Sequence, residues 1–214
     1  MKNFQNLFMA MLCTVVLTIS SNCSAADGAM RLAILPFAKD ADVSANLTLE
    51  DTKIANGIIY EGFSNCDDFE LLERESVDKL INEHELNSQG LIDSATAPAF
   101  GKMLGSEYIM INSITGLSSR KKTNSIVGAG SRSYIVTARM SARIIEVETG
   151  RIVLAATSSA TSTNKFHKAG FIVRIGTDEV DQGLVDESIE KAAENLVDKL
   201  MANLEKKKQM SRNR

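Results

Sequence analysis

The sequence predicts an α/β fold: a mixed sheet of about five strands with a C-terminal antiparallel hairpin, packed against three to four helices. Three observations carry this prediction. In Tyr134–Thr157, the residues Tyr134, Val136, Ala138, Met140, Ala142 and Ile144 fall at every second position, while Thr137, Arg139, Ser141 and Arg143 face the other way. A strand with one buried face requires that period. In Leu184–Leu204, Val185, Ile189, Ala192, Ala193, Leu196, Leu200 and Leu204 form one helical stripe, with Glu187 four residues before Lys191. Across the N-terminal half, short apolar runs alternate with helix-period stretches, the element order of a layered α/β domain.

Arg31–Phe37 (RLAILPF) is a nearly continuous apolar run that reads as a buried strand, its ladder ended by Pro36. Asp40–Asn46 is a polar loop, and Thr48 with Asp51 resembles a helix cap. Ile54, Ala55, Ile58, Ile59, Gly62 and Phe63 then share one helical face over Lys53–Phe63, and Asn65–Asp68 breaks it. Phe69–Leu72 is a second short strand. Glu73–Glu85 returns to helix with Val77, Leu80, Ile81 and His84 on one side, and Gln89–Ser94 is a loop. A helix follows over Ala97–Leu104, with Pro98 in the first turn and Gly105 placed to end it. Glu107–Thr115 (EYIMINSIT) reads as a central strand. The polar stretch Leu117–Ser133 leads to the hairpin, which turns at Glu148-Thr149-Gly150, where Gly150 can take a left-handed conformation. Beyond it lie a polar Ser158–Asn164, a strand-like alternation of Phe171, Val173 and Ile175, and a loop over Gly176–Gly183.

Residues 1–26 are expected to be a signal peptide. Lys2 provides the positive start, Leu7–Ile19 the apolar region, and Ser24-Ala25-Ala26 the small residues for cleavage. The apolar region is shorter than the about 20 residues that span a bilayer, so export is the expectation. The domain is placed at 27–204. Residues 205–214, with Lys206, Lys207, Lys208, Arg212 and Arg214, are read as a basic disordered tail. Cys13 and Cys23 fall in the leader, which leaves Cys66 alone in the mature chain and excludes an internal disulfide. Cys23 is also the candidate lipid-bearing residue of a lipoprotein signal. Such signals want an aliphatic residue three places earlier and a small residue just before, where Ser20 and Asn22 stand. The two routes leave different mature N-termini.

Residues that carry chemistry are sparse. A net charge of −3 argues against nucleic-acid binding through bulk electrostatics. His84 falls on an apolar helix side, and His167 is flanked by Lys165 and Lys168; neither has the spacing of a metal site. Gly128-Ala129-Gly130 lacks the helix and Lys of a phosphate loop and reads as loop flexibility. Asp67, Asp68, Glu70, Glu73 and Glu75 read as a solvated rim at a helix start. No catalytic, cofactor or metal site is assigned. The expected partners are proteins, not nucleic acid, with membrane association as an option.

Four segments in order, Arg31–Phe37 (RLAILPF), Glu70–Glu75 (ELLERE), Leu104–Gly116 (LGSEYIMINSITG) and Ala142–Ile152 (ARIIEVETGRI), resemble the curli secretion channel family, CsgG. The resemblance spans Met30 to Leu204. It implies a periplasmic α/β domain that oligomerises in a ring, and lipid-anchored members that export fibre subunits through hairpins inserted in the outer membrane. The corresponding hairpin segments here are Leu117–Tyr134 and Thr157–Gly183. A transmembrane strand needs about 9–11 residues with an apolar band facing lipid. Ser119–Arg132 instead carries Arg120, Lys121, Lys122 and Arg132, with Ile126 and Val127 as its sizeable apolar groups. That argues against barrel insertion. Arg120, Lys121, Lys122, Ile126, Val127, Phe166, Phe171, Val173 and Ile175 are the candidate contact or pore-forming residues. The alternatives are a soluble accessory module similar to lipoprotein activators of peptidoglycan synthases, and an enzyme working through carboxylates such as Asp67 and Glu73.

Overall fold

The computed structural model describes residues 29–39, 49–83, 95–126, 129–168 and 182–213. Its elements are β1 (Met30–Ile34), β2 (Ala38–Lys39), α1 (Leu49–Ser64), β3 (Phe69–Leu71), α2 (Arg74–Glu83), α3 (Ala97–Leu104), β4 (Tyr108–Ile126), β5 (Ala129–Glu146), β6 (Ile152–Lys168) and α4 (Gln182–Arg212). The sheet order is β3-β1-β4-β5-β6, with β2 pairing β4 off that path. β1 is parallel to β3 and to β4, while β5 is antiparallel to both β4 and β6. This is the mixed α/β sheet that the sequence predicts.

Apolar residues on successive positions of β1 follow from helices on both sheet faces. Leu32 and Ile34 join a core with Ala55, Ile59 and Phe63 of α1 and with the stripe of α4 from Leu184 to Leu204. Ala33 and Leu35 join a second core with Val77 and Ile81 of α2 and with Ala97 and Phe100 of α3. The hairpin alternation lands as read: Val136, Ala138, Met140, Ala142 and Ile144 are buried against the α1–α4 layer, while Arg139 and Arg143 are exposed.

Where Pro36 ends β1, side chains take over the ladder. Asn112 Nδ2 donates to Leu35 O at 2.9 Å, Phe37 N donates to Asn56 Oδ1 at 3.1 Å, and Tyr60 OH donates to Ile34 O at 3.1 Å. Asn56 and Asn112 are buried, so their amides satisfy backbone groups that water cannot reach. The chain then rejoins β4 as β2, parallel to Ser113 and Ile114. Gly105 (φ 66°) ends α3 and Gly150 (φ 70°) closes the β5–β6 turn, both in the left-handed region that side chains resist. At that turn Gly150 N donates to Glu146 O at 2.8 Å, and Thr149 Oγ1 donates to Glu146 Oε2.

Three expectations are corrected. Leu117–Ser133 is no polar connection, because β4 continues through Ile126 and β5 begins at Ala129, with Ile126 paired to Ala129 and Ser125 to Gly130. Gly130 is thus a strand residue rather than part of a flexible loop. Ser158–Asn164 is the middle of β6, paired with β5 from Met140 to Tyr134. Its small Ser158, Ala160 and Ser162 are buried, and Ser158 Oγ donates to Ala192 O at 2.6 Å. Finally, the basic residues 205–212 are the last turns of α4 rather than a disordered tail. Lys208 Nζ lies 2.6 Å from Asp68 Oδ2 and 2.9 Å from Glu205 Oε1, and these contacts raise its pKa. Periodicity missed these elements because no large apolar face marks them.

Candidate interaction surface

A strand shows an apolar period only where a layer covers it, and β4, β5 and β6 outrun theirs. Their upper rows pair Ser118 with Thr137 and Thr161, Arg120 with Ile135 and Thr163, and Lys122 with Ser133 and Lys165. On this face Arg120, Lys122, Arg139 and Arg143 are exposed among Ser and Thr. Thr137 and Thr161 share a hydroxyl hydrogen bond of 3.0 Å across the strands. Arg139 lies beside Gly116, where an added Cβ would sit 3.7 Å from Arg139 Cδ. A register shift between Ile114 and Gly116 sets this outer part of β4 off from its base. On the opposite face, Lys121 Nζ lies 5.8 Å from the centroid of the Tyr134 ring.

β6 is an edge strand, and α4 guards its lower half. Lys199 Nζ donates to Thr157 O at 2.7 Å, Asn203 Nδ2 to Ala155 O at 3.1 Å, and Lys207 Nζ to Val153 O at 3.3 Å. Four helical residues advance about 6 Å and two strand residues about 6.6 Å, so a polar stripe at i, i+4 and i+8 can follow alternate carbonyls. Above Thr157 no cap from α4 reaches the edge among the described residues. Sequence reading missed this role. The spacing of Lys199, Asn203 and Lys207 beside the apolar stripe is its signal.

Between α1 and α4 lies a groove lined by Ile58, Glu61, Gly62, Glu194, Val197 and Asp198. The helices cross closely here, since a Cβ on Gly62 would fall 2.5 Å from Val197 Cγ1. Glu61, Glu194 and Asp198 are exposed on its rim, and none makes an ion pair among the described residues.

Packing raises the pKa of Tyr60 and of Cys66. Burial, reinforced by Asp78 and opposed by Arg74, pushes the Tyr60 phenol from 10.0 up to about 12. The folded state therefore holds this proton longer than the unfolded chain. Stability from Tyr60 is complete below pH 10 and is expected to fall as pH rises from about 10 to about 12. Urea melts at about pH 9 and 11 should show less alkaline loss in Tyr60→Phe than in the native chain; equal losses would contradict this origin. Burial also pushes the Cys66 thiol up, and its Sγ donates to Asp68 Oδ2 at 3.4 Å. A raised thiol pKa lowers the thiolate fraction that reacts.

The predicted contact residues divide. Arg120, Lys121 and Lys122 stand exposed on β4. Ile126 ends β4, and Phe166 is paired with Arg132 in β6. Cys23, Val127, Phe171, Val173 and Ile175 lie outside the described residues, as do His84 and the Thr48 cap. The acids Asp67 and Glu73 are exposed, and Asp68 faces Lys208. Among the described residues, no group of three or more His, Cys, Asp or Glu is placed to hold a metal ion. No described helix is long and apolar enough to cross a membrane.

Residues 23–213, nearly the whole chain, match the family described as curli production assembly/transport component CsgG. The chain belongs to the CsgG family. The four ordered segments therefore point to the correct family, although each alone is ordinary strand and turn chemistry. No curated protein matches. Among solved structures, this CsgG-family chain is similar to the LpoB C-terminal domain from Salmonella enterica, at 13% identity over 62% of this chain and 82% of that one, with a TM-score of 0.43. It is similar to lipoprotein GNA1162 from Neisseria meningitidis at 9% identity over 79% and 99%, TM-score 0.46. It is also similar to a PelC dodecamer from Paraburkholderia phytofirmans at 11% identity over 81% and 89%, TM-score 0.36.

Proposed function

We propose that this CsgG-family protein is an exported assembly or transport component, periplasmic or associated with the outer membrane, which acts through protein–protein contacts and ring oligomerisation. The observation that carries this reading is the ribbon of β4, β5 and β6, which extends from a family-typed domain beyond the cover of its helices. Its contact residues are Arg120, Lys121 and Lys122 on the strands, with Ile126, Val127, Phe166, Phe171, Val173 and Ile175 at and beyond their ends.

The ribbon serves as a solvated contact element in this proposal. Past the bulge, one face of β4 carries Leu117, Ser119 and Lys121, and the other carries Ser118, Arg120 and Lys122. Neither offers the alternating apolar band of a bilayer strand. Each cation at mid-depth would cost about 2–4 kcal/mol. Catalysis has no part in the reading.

Mass photometry of the mature protein over rising concentration tests the proposal. Assemblies larger than the monomer are expected, and a ribbon shortened in register by deleting matched pairs from β4 and β5 should lose them. A protein that stays monomeric at high concentration, with no membrane fraction, would overturn the assembly reading and favour the accessory-module alternative. Mass spectrometry of the mature N-terminus separates a free Ala26 or Asp27 from a lipidated Cys23.

A further inference from the structure

Charge is divided unevenly over the fold. Of the 24 Lys and Arg in the chain, eight lie in β4, β5 and β6: Arg120, Lys121 and Lys122; Arg132, Arg139 and Arg143; Lys165 and Lys168. Of the 27 Asp and Glu, these strands hold only Glu146, at the base of the ribbon. The strands therefore carry a net +7 and the rest of the chain −10, within a total of −3. One sheet face gathers Arg120, Lys122, Arg139 and Arg143, all exposed. Among the described residues, α2 and α3 cover that face only around Ala33, Leu35, Ile109, Ile145 and Val147. The opposite face is covered by α1 and α4 as far as Val136 and Ala160. Among the described residues, the rest of this face lacks a helix layer that the architecture supplies on its other side.

A surface of opposite charge is present on the same molecule. The α1–α4 groove carries Glu61, Glu194 and Asp198 around the apolar Ile58 and Val197. We infer that the cationic face of the ribbon docks on the α1–α4 groove of a second copy of this chain. The inference rests on the assembly reading above and names its interface. Guanidinium groups match carboxylates with paired hydrogen bonds, and the apolar floor supplies contact inside a polar rim, as interfaces require. Because the two surfaces differ, the contact is heterologous: it repeats head to tail and closes into a ring when the rotation permits.

Charge exchange tests this directly, using the mature chain and analytical ultracentrifugation. One variant carries Arg120→Glu and Arg139→Glu; the other carries Glu61→Lys and Glu194→Lys. Each alone places like charges in contact, and its self-association should weaken by at least about a hundredfold in Kd. An equimolar mixture should associate again, since reversed ribbon then meets reversed groove and native ribbon meets native groove. Native assemblies should also weaken as salt rises from about 50 to about 500 mM. Circular dichroism verifies folding, and Gln at the same four positions gives neutral variants with a smaller loss in the same direction. Unchanged association in either charge-reversed variant, or a mixture that stays dissociated, would overturn the docking while leaving the assembly reading in place. A native chain that remains monomeric yet binds phosphatidylglycerol vesicles would overturn it in favour of a lipid surface. A native chain that is monomeric under every condition and binds no vesicle removes the assembly reading itself.

Discussion

Phe63→Ala is expected to lower the free energy of unfolding by about 3–5 kcal/mol, the loss typical of a large aromatic removed from a packed core. Phe63 is 1% exposed near the C-terminal end of α1. Its ring meets that of Phe69 at 5.7 Å between centroids with the planes tilted by 49°, a geometry that adds attraction beyond buried area. One side chain thereby couples α1 to β3, and the larger core includes both with Leu200 and Leu204 of α4. Neighbouring groups cannot easily fill the space, because the adjacent Gly62–Val197 approach already sets the spacing of the two helices. Equilibrium urea unfolding measures the change. A loss below about 1 kcal/mol would mean that the helices collapse onto the vacancy, and the coupling assigned to Phe63 would be wrong.

Replacing Lys199, Asn203 and Lys207 together by Ala is expected to change assembly more than helix formation. Ala is the best helix former, so α4 itself should not suffer. The losses are three side-chain hydrogen bonds to the carbonyls of Val153, Ala155 and Thr157. At about 0.5–1.5 kcal/mol each, and toward the lower end because these side chains are solvated, the triple variant should lose about 1.5–3 kcal/mol. The larger consequence is an uncapped strand edge that can template pairing with another chain. Time-dependent light scattering with thioflavin binding should rise in the variant and stay flat in the native protein. A triple variant that remains dispersed and equally stable would show that α4 guards the edge by bulk alone.

Legibility in the sequence followed burial. The alternation from Tyr134 to Ile144 and the stripe from Val185 to Leu204 were readable because each faces a single apolar layer. Gly105 and Gly150 were readable because positive φ selects glycine. The outer strands were not, since Ser119–Ser125 and Ser159–Thr163 have no large apolar face to repeat. Their strand character comes from pairing with β5, which is nonlocal. Likewise the basic end of α4 looks like a solvated tail until Asp68, 140 positions away along the chain, is placed beside Lys208.

The candidate surface divides in the same manner. Arg120, Lys121 and Lys122 could be singled out as a cationic segment, but their grouping with Arg139 and Arg143 depends on strand register. A one-residue slip would move each to the other face. By itself the sequence determined the α/β class, the covered face of the hairpin, the long amphipathic helix and, through four ordered segments, the family. These rest on local periodicity, turn chemistry and residue identity. Only the tertiary structure decided the length of β4, β5 and β6, the capping of β6 by α4, and the separation of a cationic face from an acidic groove. Those depend on which distant residues become neighbours, and no local period encodes that.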